Sequence, residues 1–196
     1  VVRQMVRRFC ALVSGIITPG KETERLLERD GITTPHLLLP SPVQQVFVQR
    51  QAQNQQQKLI NVSAQKPFHL MTCSRFVKEK NIPFLLNMFA GLDQKKFRLT
   101  LAGFGSELDA LKHYAYETLK LSPNVVDFAV KLNAQDVCAL YAECDLFIFA
   151  SLADTQGLVL AEAMTNGLPV VALNGPGQED IVVNGENGYL VSSVEE

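Results

Sequence analysis

Two acidic residues, Asp154 and Glu162, are separated by seven residues in the segment DTQGLVLAE, which passes from a polar loop into an apolar helical pattern. A carboxylate in such a helix is costly to bury unless a ligand hydroxyl or a neighbouring donor satisfies it. Gln156, Gly157 and Leu158 would begin the helix, where free backbone N–H groups can bind an anion. The segment therefore combines hydroxyl-binding groups with an anion seat, although each acid taken alone is more often a capping or surface residue.

Cationic residues lie in a second segment, SRFVKEK over residues 74–80. Arg75 offers a planar fork of donors and Lys80 a point charge, and this combination suits the two phosphates of a diphosphate. Because the segment follows an apolar run, its cations would lie at the mouth of a sheet. Taken alone, such a segment is more often an exposed basic turn.

A third segment contains Gly103 and Gly105, between a predicted strand and a predicted helix. Glycine permits a tight turn and close approach of backbone, and amides at the helix start can face an anion. Ser106, with Asp109 three residues later, predicts a capping box. The third glycine of the dinucleotide fingerprint is missing, so a plain strand-to-helix turn is the alternative.

A fourth loop, NGPGQE over residues 174–179, contains two glycines and a proline. We expect it to be a fixed loop. Glu179 at its end could either reach the site or help to start the helix predicted over residues 178–184.

The elements that must position these loops alternate regularly from residue 67 onward. Several apolar runs, such as LFIF at 146–149, have no polar face, as expected of strands covered by helices on both sides. The alternation predicts an α/β fold with a doubly wound parallel sheet, Rossmann-like in its organisation. Ligands bind outside the carboxyl ends of such strands, where all four loops lie. The predicted strands are 68–72, 97–102, 125–128, 146–149, 170–173 and 189–191, and the predicted helices are 82–92, 107–119, 134–143, 158–166 and 178–184.

The first third of the chain departs from this alternation. We predict an amphipathic helix over residues 1–8, a surface helix over 21–30 closed by Gly31, and a short strand over 36–40. Residues 44–57 contain eight glutamines, which favour a solvated linker or extended loop, with an interaction segment as the alternative. We therefore divide the chain into residues 1–43, a linker over 44–66, and a domain over 67–196.

Composition narrows the class of protein. The 196 residues are 47% hydrophobic and carry a net charge of −2, which gives no indication of nucleic-acid binding. No apolar run approaches the roughly 18–20 residues that a membrane-spanning helix needs. The four cysteines show no Cys-x-x-Cys spacing, so we expect reduced, buried thiols and a cytoplasmic location.

The order and spacing of these segments resemble a known family. The segment 154–173, with Gly177, Glu179 and NGYLV at 187–191, strongly resembles the donor half of retaining glycosyltransferases of the GT-B fold, family 4 group. Residues 74–80 resemble that family's Gly-Arg-Leu…Glu-Lys element, and residues 102–105 its Gly-x-Gly turn. Residues 16–43 resemble the end of the acceptor domain and the crossover that follows.

The resemblance implies a role for each candidate residue. Glu162 would contact the nucleotide ribose, and Asp154, which stands where the family has glutamate, would contact sugar hydroxyls; these two acids are the implied catalytic pair. The remaining roles are diphosphate binding by Arg75, Lys80, Gln156, Gly157 and Leu158, nucleotide binding by Gly103 and Gly105, and sugar binding by Thr155 and Gln156.

The implied reaction is transfer of a sugar, with retention, from a nucleoside diphosphate sugar to a hydroxyl acceptor. A UDP-sugar is the expected donor, with no cofactor and no metal ion. The wording Asp-Thr-Gln-Gly is similar to bacterial enzymes that glucosylate lipids, so the expected acceptor is a glycolipid or a cell-surface polysaccharide.

We expect the acceptor to be bound mainly by an N-terminal domain that this chain lacks, and a membrane surface to be contacted only by the parent protein. The chain alone would then bind nucleotide but transfer sugar poorly. The alternatives are an epimerase or phosphorylase of the GT-B fold, for which no cofactor lysine is evident, and a non-catalytic nucleotide-binding module.

Overall fold

The computed structural model describes residues 2–49 and 66–194. Eight strands lie in these ranges: β1 Ile16–Thr18, β2 His36–Leu38, β3 Phe68–Arg75, β4 Phe97–Phe104, β5 Val126–Ala129, β6 Leu146–Phe149, β7 Val170–Leu173 and β8 Gly188–Val191. The helices are α1 Val2–Cys10, α2 Lys21–Arg29, α3 Ile82–Ala90, α4 Leu108–His113, α5 Ala134–Glu143 and α6 Leu158–Thr165. A π-helical turn, Tyr114–Thr118, continues α4, and a 3₁₀ turn, Lys78–Lys80, follows β3.

Strands β3 to β8 form one parallel sheet in the order β5-β4-β3-β6-β7-β8. The chain builds the sheet outward from β3 to β5 and then returns to the other side of β3 with β6. In open parallel sheets such a reversal creates a crevice outside the carboxyl ends of the two strands, here β3 and β6, and ligands usually bind there. The predicted α/β fold with a doubly wound parallel sheet is confirmed.

The sheet is covered on both faces because its strands are apolar on both faces. Successive side chains of a strand point to opposite sides. Met71 accordingly packs in a cluster with Tyr141 and Phe147, while its neighbour Leu70 packs in a second cluster with Leu86. The core therefore consists of two layers separated by the sheet.

Two local predictions are wrong. Residues 178–184 form a single turn rather than a helix, because the Val183 amide donates to Asn187 Oδ1, and Asn187 Nδ2 donates to the Ile181 carbonyl. Ser106 does not cap α4, whose N-cap is Glu107 with no side-chain bond. A capping box is found instead at α5, between Asn133 and Asp136.

The N-terminal part forms a smaller unit. Strands β1 and β2 make a separate parallel pair. Helix α2 ends at Arg29 with Asp30 as its C-cap, and Gly31 follows with a φ of +68°, the left-handed stop that the sequence predicts. Helix α1 exposes an apolar stripe formed by Val2, Met5 and Phe9.

The glutamine-rich segment is attached to the larger domain at its start. Residues 45–49 are helical rather than extended, and Phe47 is buried with its ring centroid 5.9 Å from that of Tyr141. The prediction of a linker beyond this point concerns residues 50–65, which lie outside the described residues.

Two further properties concern the helices and the cysteines. Within residues 2–49 and 66–194, no helix has the length and apolarity needed to span a membrane. None of the four cysteines, all of which lie in these ranges, forms a disulfide.

Candidate active site

Asp154 lies in the loop between β6 and α6, at the crevice. Its Oδ2 is 2.7 Å from Lys80 Nζ, and its Oδ1 accepts hydrogen bonds from the amides of Gln156 (3.2 Å) and Gly157 (2.8 Å). The Lys80 and Asp154 side chains are only 13% and 16% exposed. The carboxylate is therefore held on one side by a cation and on the other by the N-terminus of α6.

The charge of Asp154 is stabilised by these donors. Burial on its own would raise the pKa of the carboxyl, but the hydrogen bond from Lys80 and those from the two amides outweigh it, so the pKa lies below its usual value. Asp154 consequently stays ionised at neutral pH and is suited to accept hydrogen bonds or to balance positive charge, not to donate a proton.

Lys80 is positioned by the 3₁₀ turn after β3. The turn is joined to the loop after β6, since the Leu152 amide and Ser151 Oγ both donate to the Glu79 carbonyl, at 2.8 and 3.3 Å. Lys80 Nζ also lies 3.3 Å from Ser151 Oγ and 5.5 Å from the centroid of the Phe149 ring. Strands β3 and β6 thus bring together residues that are more than 70 positions apart in sequence.

Glu162 lies on α6, half-buried and eight residues after Asp154. Among the residues that the structure describes, no side chain or amide donates a hydrogen bond to its carboxylate. Burial raises its pKa to about 7. Burial also raises the pKa of the Cys73 thiol to about 12, with a smaller contribution from the charge of Glu162, which therefore lies near Cys73 on β3.

Arg75 is the last residue of β3 and is exposed at the same edge of the sheet. It pairs in register with Phe104, next to the Gly103–Gly105 turn. In the described part of the chain its guanidinium has no ion pair or hydrogen-bond acceptor, which leaves its full set of donors available to an anion.

The two glycines of that turn are required by neighbouring backbone. A Cβ on Gly103, which has a φ of +144°, would lie 1.8 Å from the Ser74 carbonyl oxygen, and one on Gly105 would lie 2.3 Å from that of Phe76. The amide of Glu107, the N-cap of α4, is also engaged, because it donates to the Phe76 carbonyl. The glycines thus allow the end of β3 to pack closely against this turn, and this packing places Arg75 beside the crevice.

At the start of α6, the Asp154 carboxylate itself binds some of the amides that were predicted to bind an anion. The amides of Gln156 and Gly157 donate to Asp154 Oδ1, whereas the Leu158 amide has no acceptor among the described residues. Gln156 is buried, and its Nε2 donates to the Ser41 carbonyl, while the Thr155 side chain is exposed. Of the three predicted amides, that of Leu158 is therefore available for a phosphate.

Sequence reasoning missed how closely the loop over residues 174–180 packs on this one. A Cβ on Gly157 would lie 2.8 Å from the Gly177 carbonyl oxygen, and one on Gly177 would lie 2.7 Å from the Gln156 nitrogen. Gln178 is fully buried and donates from Nε2 to the Ser151 carbonyl at 2.8 Å. The Gly-Pro-Gly sequence was the available signal, but it does not specify a partner loop.

Glu179 neither enters the crevice nor starts a helix. Its carboxylate lies 3.9 Å from Arg25 on α2 and is half exposed. Its neighbour Asp180 contacts the backbone at Lys21. The end of this loop therefore faces the N-terminal part of the chain.

The comparisons with known proteins agree with this geometry. The family described as "Glycosyl transferases group 1" matches residues 53–196. The chain is 28% identical over 197 residues to the alpha-monoglucosyldiacylglycerol synthase of Streptococcus pneumoniae, covering 96% of this chain and 44% of that protein. It is 29% identical over 131 residues to the UDP-N-acetylglucosamine--peptide N-acetylglucosaminyltransferase GtfA subunit of the same species (serotype 4), covering 65% of this chain and 25% of that protein.

The solved structures give the fold. Anabaena Alr3699/HepE, solved in complex with UDP and glucose, matches with a TM-score of 0.73 at 24% identity, over 93% of this chain and 50% of that one. The predicted GT-B fold is confirmed at this level of similarity. The chain spans less than half the length of the two curated relatives.

Proposed function

The chain belongs to the group 1 glycosyl transferase family, and from this premise we propose that it forms the donor-binding part of a retaining glycosyltransferase. The donor is a nucleoside diphosphate sugar, and the acceptor is a hydroxyl group. The observation that carries this proposal is the half-buried carboxylate of Glu162, on the helix that follows the Asp154 loop, with no hydrogen-bond donor from the described protein.

A vicinal diol is the chemical group best suited to donate hydrogen bonds to the Glu162 carboxylate. A carboxylate has about four acceptor positions and can receive both hydroxyls of a ribose. At the crevice, Arg75 and the Leu158 amide present donors without acceptors among the described residues, which suits a diphosphate attached to that ribose. A nucleoside diphosphate therefore satisfies all three groups at once.

The sugar would lie against Asp154, Thr155 and Gln156. When its bond to the diphosphate breaks, the electron pair leaves with the diphosphate, which then carries the additional negative charge. Arg75, Lys80 and the N-terminus of α6 stabilise that charge without a metal ion. Asp154 is ionised and adjacent, so it can bind sugar hydroxyls and balance positive charge that develops on the sugar ring.

The proposed donor is a UDP-sugar and the proposed acceptor a lipid-linked hydroxyl. Support comes from the printed functions of similar proteins: one relative is a monoglucosyldiacylglycerol synthase, another uses UDP-N-acetylglucosamine, and a structural neighbour was solved with UDP and glucose. A cell-surface polysaccharide is the second acceptor class. We propose that the acceptor is bound mainly by parts of the parent protein outside this chain. This chain on its own would therefore transfer sugar poorly.

Nucleotide binding by the chain provides the test. UDP, GDP and ADP are each added in a thermal-shift assay, and we expect UDP to raise the melting temperature most, because a ligand that binds only the folded state stabilises it. Failure of all three to shift the melting temperature, with no binding by calorimetry, would contradict the proposal. Transfer from labelled UDP-glucose by the parent protein then identifies the acceptor.

Arg75→Ala should weaken UDP binding about tenfold, since a hydrogen bond to a charged group contributes roughly 1.5–3 kcal/mol. The matched control is Arg98→Ala, which removes an exposed arginine near the opposite end of the sheet, on β4. We expect the control to bind UDP like the unaltered chain. Equal affinities for all three proteins would remove Arg75 from the site.

A non-catalytic nucleotide-binding module is the second candidate, favoured by one observation. Asp154 is already bonded to Lys80 and two amides, which leaves few acceptor positions for a sugar. Such a module would bind UDP and UDP-glucose with equal affinity, and the parent protein would neither transfer nor hydrolyse the sugar. A preference for UDP-glucose together with turnover supports the enzyme.

A further inference from the structure

Helix α2 begins without a capping side chain of its own. Its N-cap is Gly20, and the first four amides of a helix have no partner within the helix. The acceptor for the first of them comes from far away in sequence, because the Lys21 N–H donates to Asp180 Oδ2 at 2.7 Å, across 159 residues. Asp180 thus provides a cap from another part of the chain, with its negative charge at the positive end of the helix.

The fit around Gly20 is close. A Cβ on Gly20 would lie 2.7 Å from Asp180 Oδ2 and 2.7 Å from the Thr155 carbonyl oxygen. The φ of Gly20 is −155°, an extended conformation open to any residue, so glycine is needed here for space and not for backbone geometry. The start of α2 therefore touches both site loops, the one over residues 151–157 and the one over residues 174–180.

Two more contacts join the same parts of the chain. Gln156 Nε2 donates to the Ser41 carbonyl at 3.1 Å, and Arg25 lies 3.9 Å from Glu179. Together with the close packing of Gly157 on Gly177, they form a continuous path of contacts from α2 through Asp180 to the loop that holds Asp154.

We propose that Asp180 is a positioning residue of the donor site: by binding the start of α2 it fixes the loop over residues 174–180, and through it the Asp154 loop, relative to the N-terminal part of the chain. Displacement of α2 would then change the position of the sugar-binding carboxylate. The positional role stands on the contacts alone, whereas its consequence for sugar binding rests on the proposed function.

Amide hydrogen exchange on the full chain tests the positional role without any ligand. In Asp180→Ala we expect exchange to become at least tenfold faster both at Lys21 and at Gln156 and Gly157, whose amides are held by Asp154. Faster exchange at Lys21 alone would show a local helix cap and would overturn the proposal. Asp180→Asn retains an acceptor oxygen and should restore most of the protection.

A second pair of variants guards against misfolding of Asp180→Ala. Gly20→Ala leaves Asp180 in place but pushes it and the Thr155 carbonyl away, and it should raise exchange at Gln156 and Gly157 in the same way. Gly15→Ala is the matched control, because its Cβ would meet its nearest neighbour, the Pro35 carbonyl oxygen, at an ordinary 3.7 Å. Unchanged exchange at Gln156 and Gly157 in Gly20→Ala would also overturn the proposal.

Ligand titration separates this proposal from the proposed function. In Asp180→Ala we expect affinity for UDP-glucose to fall at least fivefold and clearly more than affinity for UDP, since the displaced loop contacts the sugar through Asp154 and UDP has no sugar beyond its diphosphate. Equal losses for both ligands would contradict a role specific to the sugar. If the unaltered chain binds neither ligand, the proposed function fails, and the exchange experiment still decides the role of Asp180.

Discussion

The loop that holds Asp154 and the helix face that holds Glu162 are eight residues apart, and they treat their carboxylates in opposite ways. Asp154 receives hydrogen bonds from Lys80 and from two amides, and these donors lower its pKa despite burial. Glu162 has no such donor within the described residues, and burial raises its pKa to about 7. The Asp154 carboxylate is hydrogen-bonded before any ligand binds, whereas the Glu162 carboxylate receives no hydrogen bond from the described protein.

This difference indicates how the two acids divide the work of the site. Glu162 is half-buried and receives no hydrogen bond from the described protein, and polar groups left unsatisfied in this way are often found at functional sites. Under the proposed function, Glu162 is the group whose hydrogen bonding changes when the donor binds. Asp154 and Lys80 form a preorganised part of the site, whose geometry is set during folding.

Removal of Lys80 should have the largest effect on stability. Lys80→Ala leaves Asp154 largely buried without its cation, and breaking a buried ion pair on one side costs several kcal/mol. We expect the free energy of unfolding in urea to fall by about 2–3 kcal/mol. Lys78→Ala, at an exposed position in the same turn, should change it by less than about 0.5 kcal/mol. Similar values for both variants would mean that the loop is not preorganised by the ion pair.

Binding of UDP-glucose should depend on pH through Glu162. With a pKa of about 7 in the free protein, Glu162 is mostly ionised at pH 8 and mostly protonated at pH 6, so affinity should fall roughly tenfold between these values. UDP-glucose is the appropriate ligand, because the terminal phosphate of UDP itself titrates near pH 6. Calorimetry on Glu162→Gln should give a weaker affinity that does not vary with pH; an unchanged slope would assign the dependence to another group.

Without ligand, Glu162→Gln should be more stable than the unaltered chain. The pKa of Glu162 is raised in the folded state, so the folded protein binds more protons than the unfolded chain between about pH 4.5 and 7, and stability falls as pH rises through that window. Glu162→Gln removes this loss and should gain roughly 1 kcal/mol at pH 8 and little at pH 5. Urea unfolding at the two pH values measures the difference, and a loss of stability at pH 8 would show that the carboxylate is satisfied.

The effect of Asp154 on the pH dependence of stability should be the smallest, and its sign should be opposite to that of Glu162. Its pKa is lowered in the folded state, so its contribution to stability is present above the ordinary aspartate pKa and is lost as pH falls through the lowered value. Between pH 5 and 3, Asp154→Asn should therefore lose less stability than the unaltered chain, by below about 1 kcal/mol. Parallel curves for the two proteins would contradict this assignment.

The sequence was sufficient wherever a local pattern determines local structure. Apolar runs such as LFIF identify β6 correctly because strands buried on both faces leave no polar position. The order of glycines and acids likewise identifies the loops at the carboxyl edge. Gly31 follows the end of α2 as predicted because a left-handed residue is a property of the position itself.

Predictions failed where a distant partner decides the outcome. Ser106 reads as a helix cap, but the amide of Glu107 bonds to Phe76 across the sheet edge, and no local rule reveals that acceptor. Residues 178–184 read as a helix, yet Asn187 takes the backbone groups that would extend the turn. The contact between Asp180 and Lys21 spans 159 residues and likewise has no local signature.

Under the proposed function, the close contact of Gly157 with Gly177 has a consequence for attempts to alter the sugar specificity. The two loops meet main chain to main chain, with the position of a hypothetical Cβ on either glycine within 3 Å of the other loop's backbone. At both glycines the nearest atom to that position belongs to the backbone, which cannot rotate away as a side chain can. Chimeras that import one loop from a relative should therefore misfit, whereas transplanting both as a matched cassette keeps their mutual surface intact.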